Sequence, residues 1–452
     1  MSKIRSYLKR AMRIDPDPYQ GHHAEPSPSD TLKESLMDKV VAFYLDGEDF
    51  NGLPLFARNS TPDEVWLALK ELVADGSIQV VSSKDFENPH IRPWANRRSK
   101  ADQVESIEAV RMGNANSDED RICLYPTPKA MESRIKVDDF IDEPYRRAQA
   151  LGHGDLELRF FSFDAMEGYR NDPRYHFTYW DYGLNFGIGD DAFMDDSELE
   201  KDKFASAEVG FAYMVPISAT GQINRRVCLF LHDLANLSPE HQRRIETYEI
   251  KGAELADLKP HAMWYASQMG LWPDGIGIFE KMLLEMVAIN TLTSAAFGEP
   301  LFKSTERPRE YGWVLRASQK EWDDFIHLSD KLFSENINVK LLDSLKSPKL
   351  TEDGNQIGSI SRLQWVLENV ISLDPVRVRS LLQTFRDIRE ARQKPAHALR
   401  QNVSDASLVR KQRDLLVEIV RCVENFRTVF AELPANSAWV PDQVLSEDVY
   451  SL

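Results

Sequence analysis

Apolar residues recur along this chain with two different periods, and the switches between them outline the elements. SDTLKESLMDKVVAFYL places Leu32, Leu36, Val40 and Tyr44 on one side of a helix, with Ser29 or Asp30 positioned to cap it. STPDEVWLALKELVADG predicts a second helix, with a Ser60/Thr61 cap, Pro62 in the first turn and Gly76 as the stop. SIQVVSS then alternates as a strand, and RICLYPTPK predicts another that ends at two prolines. Further on, DLELRFFSFD alternates and YHFTYWDYGLNFGI is aromatic and strand-prone. FAYMVPISATGQINRRVCLFLHDL predicts a hairpin that turns at Thr220-Gly221. GIFEKMLLEMVAINTLTSAAF is an amphipathic helix ending near Gly298, and beyond it the pattern is helical throughout. Four helices are expected there: residues 319–345, 361–373, 375–393 and 404–433, most simply arranged as an antiparallel bundle.

These elements predict an α+β multidomain chain. Residues 1–30, rich in proline and polar residues, form a flexible lead-in, and 31–85 a compact helical module with a strand. Residues 86–145 read as a connecting segment, 146–315 as a central antiparallel α+β domain, and 316–452 as an all-α bundle. Helix, turn, helix and strand at the spacing of the first module resembles a winged helix, which implies a helix that enters a DNA groove. That helix carries Asp63, Glu64, Glu71 and Asp75 against one cation, Lys70, so phosphates would repel it. Docking to a protein, or scaffolding, is the stronger expectation, and duplex DNA is an unlikely partner.

Charge and composition narrow the classes. The 452 residues carry 55 basic and 72 acidic side chains, a net −17, which argues against a surface that coats nucleic acid everywhere but leaves room for one basic site. Three well-separated cysteines, Cys123, Cys228 and Cys422, suit a reducing compartment, and no apolar run approaches a membrane span. The expected location is cytoplasmic, with no membrane partner. No histidine or cysteine spacing suggests a metal, GLNFGIG is neither a dinucleotide nor a phosphate loop, and no GxSxG elbow occurs, so no cofactor is expected. His232-Asp233 follows a strand, where a ligand could sit, but a histidine at a strand end is more often a surface or core-edge residue.

One stretch stands out. REARQKPAHALRQN inserts a proline into a strongly helical run, between Arg392 and His397. In an unbroken helix, residues five apart face about 140° from one another. Pro395 removes its own N–H and crowds the Ala391 carbonyl, so a kink there could swing His397 back toward Arg392. The alternative is that Pro395 opens a new helix, with His397 capping or packing. Between Ser361 and Arg413 there are eleven basic and five acidic residues, an excess of six positive charges inside an acidic chain, which suits a polyanion such as RNA.

Arg392 to His397 resembles the R-x4-6-H signature of HEPN domains, with Gln393 as the polar residue that commonly follows the arginine. The same spacing occurs at Arg146 and Arg147 before His153, Arg170 before His176, and Arg225 and Arg226 before His232, but only Arg392–His397 falls in a helical bundle. The resemblance covers about residues 317 to 435. It implies a metal-independent endoribonuclease built as a homodimer through the C-terminal bundle. His397 would serve as general acid or base, Arg392 would hold the scissile phosphate, and Gln393 would orient it. Arg389, Lys394 and Arg400 would bind the RNA backbone. The expected function is a triggered toxin or antiphage defence effector, with the N-terminal parts sensing or docking a partner or antitoxin. The alternative is a non-enzymatic dimeric adaptor or regulator, whose winged helix and central domain bind a protein or ligand.

Overall fold

The computed structural model describes residues 28–46, 52–56, 61–82, 98–113, 122–154, 156–188, 207–214, 225–271, 274–396 and 402–450. The chain divides into two compact units, Met1–Arg134 and Ile135–Leu452. Both mix helices with antiparallel sheet.

In the first unit the order is α1 (Pro28–Asp46), β1 (Leu53–Leu55), α2 (Asp63–Asp75), β2 (Ile78–Ser82), α3 (Lys100–Arg111), β3 (Ile122–Pro126) and α4 (Pro128–Arg134). The three strands pair antiparallel in the order β1-β3-β2, with Leu124 facing both Leu53 and Val80. α1 turns Met37 and Val40 inward, and α2 adds Trp66, Leu69, Leu72 and Val73 to the same core. α2 begins after Pro62 without a side-chain cap and stops at Gly76, whose φ of 80° is the left-handed conformation that glycine adopts without strain. Ser60 lies outside the described residues.

Within residues 86–145, expected as a connector, α3, β3 and α4 instead complete this unit, and residues 135–145 belong to the second. β3 is the central strand, with all five residues buried. α3 starts in a capping box between Ser99 and Asp102, and its Gln103 accepts a hydrogen bond from the Val80 backbone N–H at 2.9 Å. A strand paired on both sides cannot be a linker; Pro126 is its last residue and Pro128 opens α4.

The second unit opens with α5 (Pro144–Ala150), β4 (Leu158–Phe161), α6 (Asp164–Arg170), β5 (Tyr175–Tyr179), β6 (Gly183–Ile188), β7 (Ala207–Met214) and β8 (Arg225–Phe230). It continues through α7 (Leu231–Ala235), α8 (Pro239–Glu246), β9 (Leu258–Pro260), α9 (Ala262–Gln268) and the long α10 (Ile278–Phe297). The sheet runs β4-β8-β7-β6-β5, with β9 added beside β7. β7 and β8 pair as the predicted hairpin, and its turn lies outside the described residues. One face of the sheet presents Phe177, Leu184, Phe186, Val209, Phe211 and Val227 to the main core, and the other packs Ala212, Cys228 and Phe230 against Trp264. Gly210 makes that second contact possible, since a Cβ there would sit 2.2 Å from the Trp264 ring.

The helical part comprises α11 (Gln319–Asp330), a π-helical turn (Lys331–Glu335), α12 (Val339–Ser344), α13 (Ser359–Asn369), α14 (Pro375–Leu381), α15 (Gln383–Ala396) and α16 (Ser407–Ala431). It is not a separate domain, so the division expected at 315/316 is corrected here. One hydrophobic cluster runs from Tyr145 on α5 to Phe430 on α16. Tyr311 stacks on Phe325 of α11 at 5.4 Å, and Gln412 of α16 bonds both the Val314 N–H and the Gly312 carbonyl. α10 belongs to the same cluster and packs along α16.

Candidate polyanion site on the C-terminal helices

α15 is amphipathic, burying Phe385 and Ile388 and exposing its polar side. Phe385 stacks between Phe333 of the π turn and Phe426 of α16, at 5.2 and 5.5 Å. These contacts fix the helix and leave Arg392 at the margin of the core. The π turn matters here, because a π-helical insertion re-aims the residues on either side of it. It brings Asp330, the last residue of α11, and Glu335, the last of the turn, to the same atom: Arg392 Nη1 donates to Asp330 Oδ2 and to Glu335 Oε1, each at 2.5 Å.

The three side chains differ in exposure. Asp330 is 1% exposed, Arg392 32% and Glu335 47%. The hydrogen bond that Arg392 donates to Glu335, followed by the one it donates to Asp330, holds its pKa above the ordinary guanidinium range. Asp330 Oδ1 and the Ser334 hydroxyl are buried without hydrogen-bond partners. Both bonds to Arg392 use Nη1, so the Nε–Nη2 edge makes no hydrogen bond to a described residue. That edge is the planar fork that matches two phosphate oxygens.

The other sequence candidates are placed unevenly. Gln393 is exposed beside Arg392, and Arg389 is half-buried about one turn earlier. The side chains of Lys394, His397 and Arg400 lie outside the described residues, so the convergence expected of Arg392 and His397 does too. α15 continues through Pro395 to Ala396, so Pro395 does not open a new helix; the residues that follow, 397–401, lie outside the described residues.

The cationic island is smaller in space than in sequence. Arg362 is buried and donates to Asp343 and Ser347, and Lys411 pairs with Asp405. Arg392 itself is matched by two carboxylates from outside the counted window. Arg379, Arg410 and Arg413 remain exposed. Sequence reasoning missed Asp330 and Glu335, which sit some sixty positions upstream. They bracket KLFS in a stretch that also carries Asp323, Asp324 and Lys331, so nothing in the local pattern singled them out.

Among the described residues no three histidine, cysteine or carboxylate side chains gather as a metal site, and no helix is long and apolar enough to cross a membrane. No protein-family model, curated protein or solved structure matches the chain.

Proposed function

We propose that the C-terminal helices bind RNA at Arg392 and, as a HEPN-like module, cleave it without a metal. The observation that carries this reading is the Arg392 guanidinium, oriented through one nitrogen by Asp330 and Glu335 and open along its Nε–Nη2 edge. Fixing the fork before substrate arrives lowers the ordering cost of holding a phosphate. His397 enters through its place in the sequence motif, as the group that moves the proton of the attacking 2′-hydroxyl. Gln393 would bond the same phosphate, while Arg389, Lys394 and Arg400 would track the backbone. In this reading the working species is a cytoplasmic homodimer with a winged-helix-like N-terminal module that docks a partner or antitoxin. The setting would be a triggered toxin or antiphage response.

The neutralised charge at Arg392 favours a second reading, the non-enzymatic adaptor, in which the double ion pair simply seals a buried carboxylate. Incubating the purified full chain with total RNA in chelator separates the two. The nuclease reading expects cleavage by the wild type and a loss of about a hundredfold or more in His397→Ala. Cleavage by both forms, or by neither, leaves the adaptor.

A further inference from the structure

α11, α15 and α16 enclose a furrow of about 290 Å³ in which Arg392 has no part. Its apolar lining comes from all three helices: Trp322 and Ile326 of α11, Ile388 and Ala391 of α15, and Leu415 of α16. Ile326 and Ile388 are buried, while Trp322, Ala391 and Leu415 are half-buried. On α16 the lining residues are Lys411, Asp414, Leu415 and Glu418, the i, i+3, i+4, i+7 spacing of one helix face. From Lys411 to Glu418 that face rises about 10 Å, or two helical turns.

Both walls are acidic. α15 supplies Asp387, α16 supplies Asp414 and Glu418, and all three side chains are exposed. Asp387 accepts a hydrogen bond from Gln383 at 2.8 Å, which leaves its charge in place. No described cation forms an ion pair with any of the three. Lys411, the one basic residue of the lining, lies 3.6 Å from Asp405. Phosphates would be repelled here, so the furrow is not a track for RNA. An occupant that fits must bring apolar side chains for the lining and positive charge for both walls.

A helix meets both demands at once. The furrow between two packed helices seats another helix by interlocking side chains. Two turns of it present one apolar stripe, and long cationic side chains beside the stripe reach outward to the walls. We infer that this furrow docks an amphipathic helix of a partner protein, its apolar stripe flanked on both sides by lysine or arginine. The inference is independent of the nuclease reading, because it uses none of the residues proposed to hold or cleave RNA.

The probe is a fluorescein-labelled synthetic helix of leucine and lysine with its leucines on one face, titrated with the full chain and followed by anisotropy. Binding is saturable, and the double reversal Asp414→Lys with Glu418→Lys weakens it about tenfold or more. Both side chains are exposed, so that variant keeps its fold. Asp63→Lys with Glu64→Lys on α2 makes the same change in net charge and leaves the affinity unchanged. The same leucines and lysines in scrambled order, which carry the charge without the apolar face, bind about tenfold more weakly. Equal affinity for the two peptides, or for the two variants, would mean general attraction to an acidic chain and overturn the inference. No binding would overturn it too. So would displacement of the peptide by oligouridylate, or wild-type self-association in sedimentation that the Asp414 and Glu418 reversal abolishes, since RNA or a second copy is then the occupant.

Discussion

Asp330 shows how one residue can change the meaning of another. A carboxylate 1% exposed is costly to bury without a partner, and Arg392 pairs with it at 2.5 Å. Arg392→Ala should therefore destabilise the chain by about 2–3 kcal/mol in urea unfolding, below the usual range for a buried pair because the guanidinium is partly exposed. Adding Asp330→Asn should recover part of the loss, since the stranded charge is then gone. Loss of RNA binding in Arg392→Ala alone would be ambiguous for the same reason, and His397→Ala is the cleaner probe of chemistry. Asp233 makes a pH-dependent case. Burial, followed by repulsion from Glu208, pushes its carboxyl up to about 7, above the ordinary aspartate value. The folded state then holds a proton that the unfolded chain has released, so this stability is full at low pH and fades as pH rises from about 4 through 7. Asp233→Asn should match the wild type near pH 4 and exceed it by about 1–2 kcal/mol at pH 8, read from paired urea titrations. An advantage at acid pH alone would contradict the sign. The sequence motif made Arg392 legible. Asp330 and Glu335 were not, because contacts across sixty positions leave no local period.

Elements were legible where one face is apolar and the ends are punctuated. α2 closes at Gly76 and α10 at Gly298, both left-handed, as their glycines indicate. Longer helical runs were read as continuous where the fold breaks them. The expected helix over 319–345 becomes α11, a π turn and α12, because Asn336 and Asn338 bond Ser304 and Pro300 and pull the chain off the axis. The run over 375–393 likewise divides at Leu382 into α14 and α15. Neither break carries a proline or glycine, so no punctuation announced it. In the sheet, tolerance is set by the opposite face. A methyl at Gly210 meets the Trp264 ring 2.2 Å away, and that ring also stacks on Phe230 at 5.3 Å, so it has little room to yield. Gly210→Ala should cost about 1–3 kcal/mol and shift tryptophan emission, whereas Gly298→Ala meets no atom and strains only its backbone. Equal stability of Gly210→Ala and wild type would mean that the sheet spreads more easily than its packing implies.

At the scale of the molecule, the composition pattern and the core disagree about where a domain ends. Strands followed by helices suggested a boundary near 315, yet residues 135–452 form one unit whose main cluster of buried side chains runs across that position, from Tyr145 to Phe430. The links across that position are not peripheral. Phe279 meets Tyr311 edge-on at 5.4 Å, and Tyr311 stacks on Phe325. Arg427 of α16 donates to the fully buried Glu285 of α10 at 2.5 Å. A fragment spanning 316–452 would lose the α10 face and leave Phe325, Phe333, Val423 and Phe426 without their cover. Alone it should collapse without fixed packing, keeping helical far-UV dichroism but losing the near-UV signal and binding a hydrophobic dye. A fragment spanning 135–452 should instead unfold in one cooperative transition. If 316–452 unfolds cooperatively with native near-UV dichroism, the bundle is a domain in its own right, and the shared core is an interface between two folds.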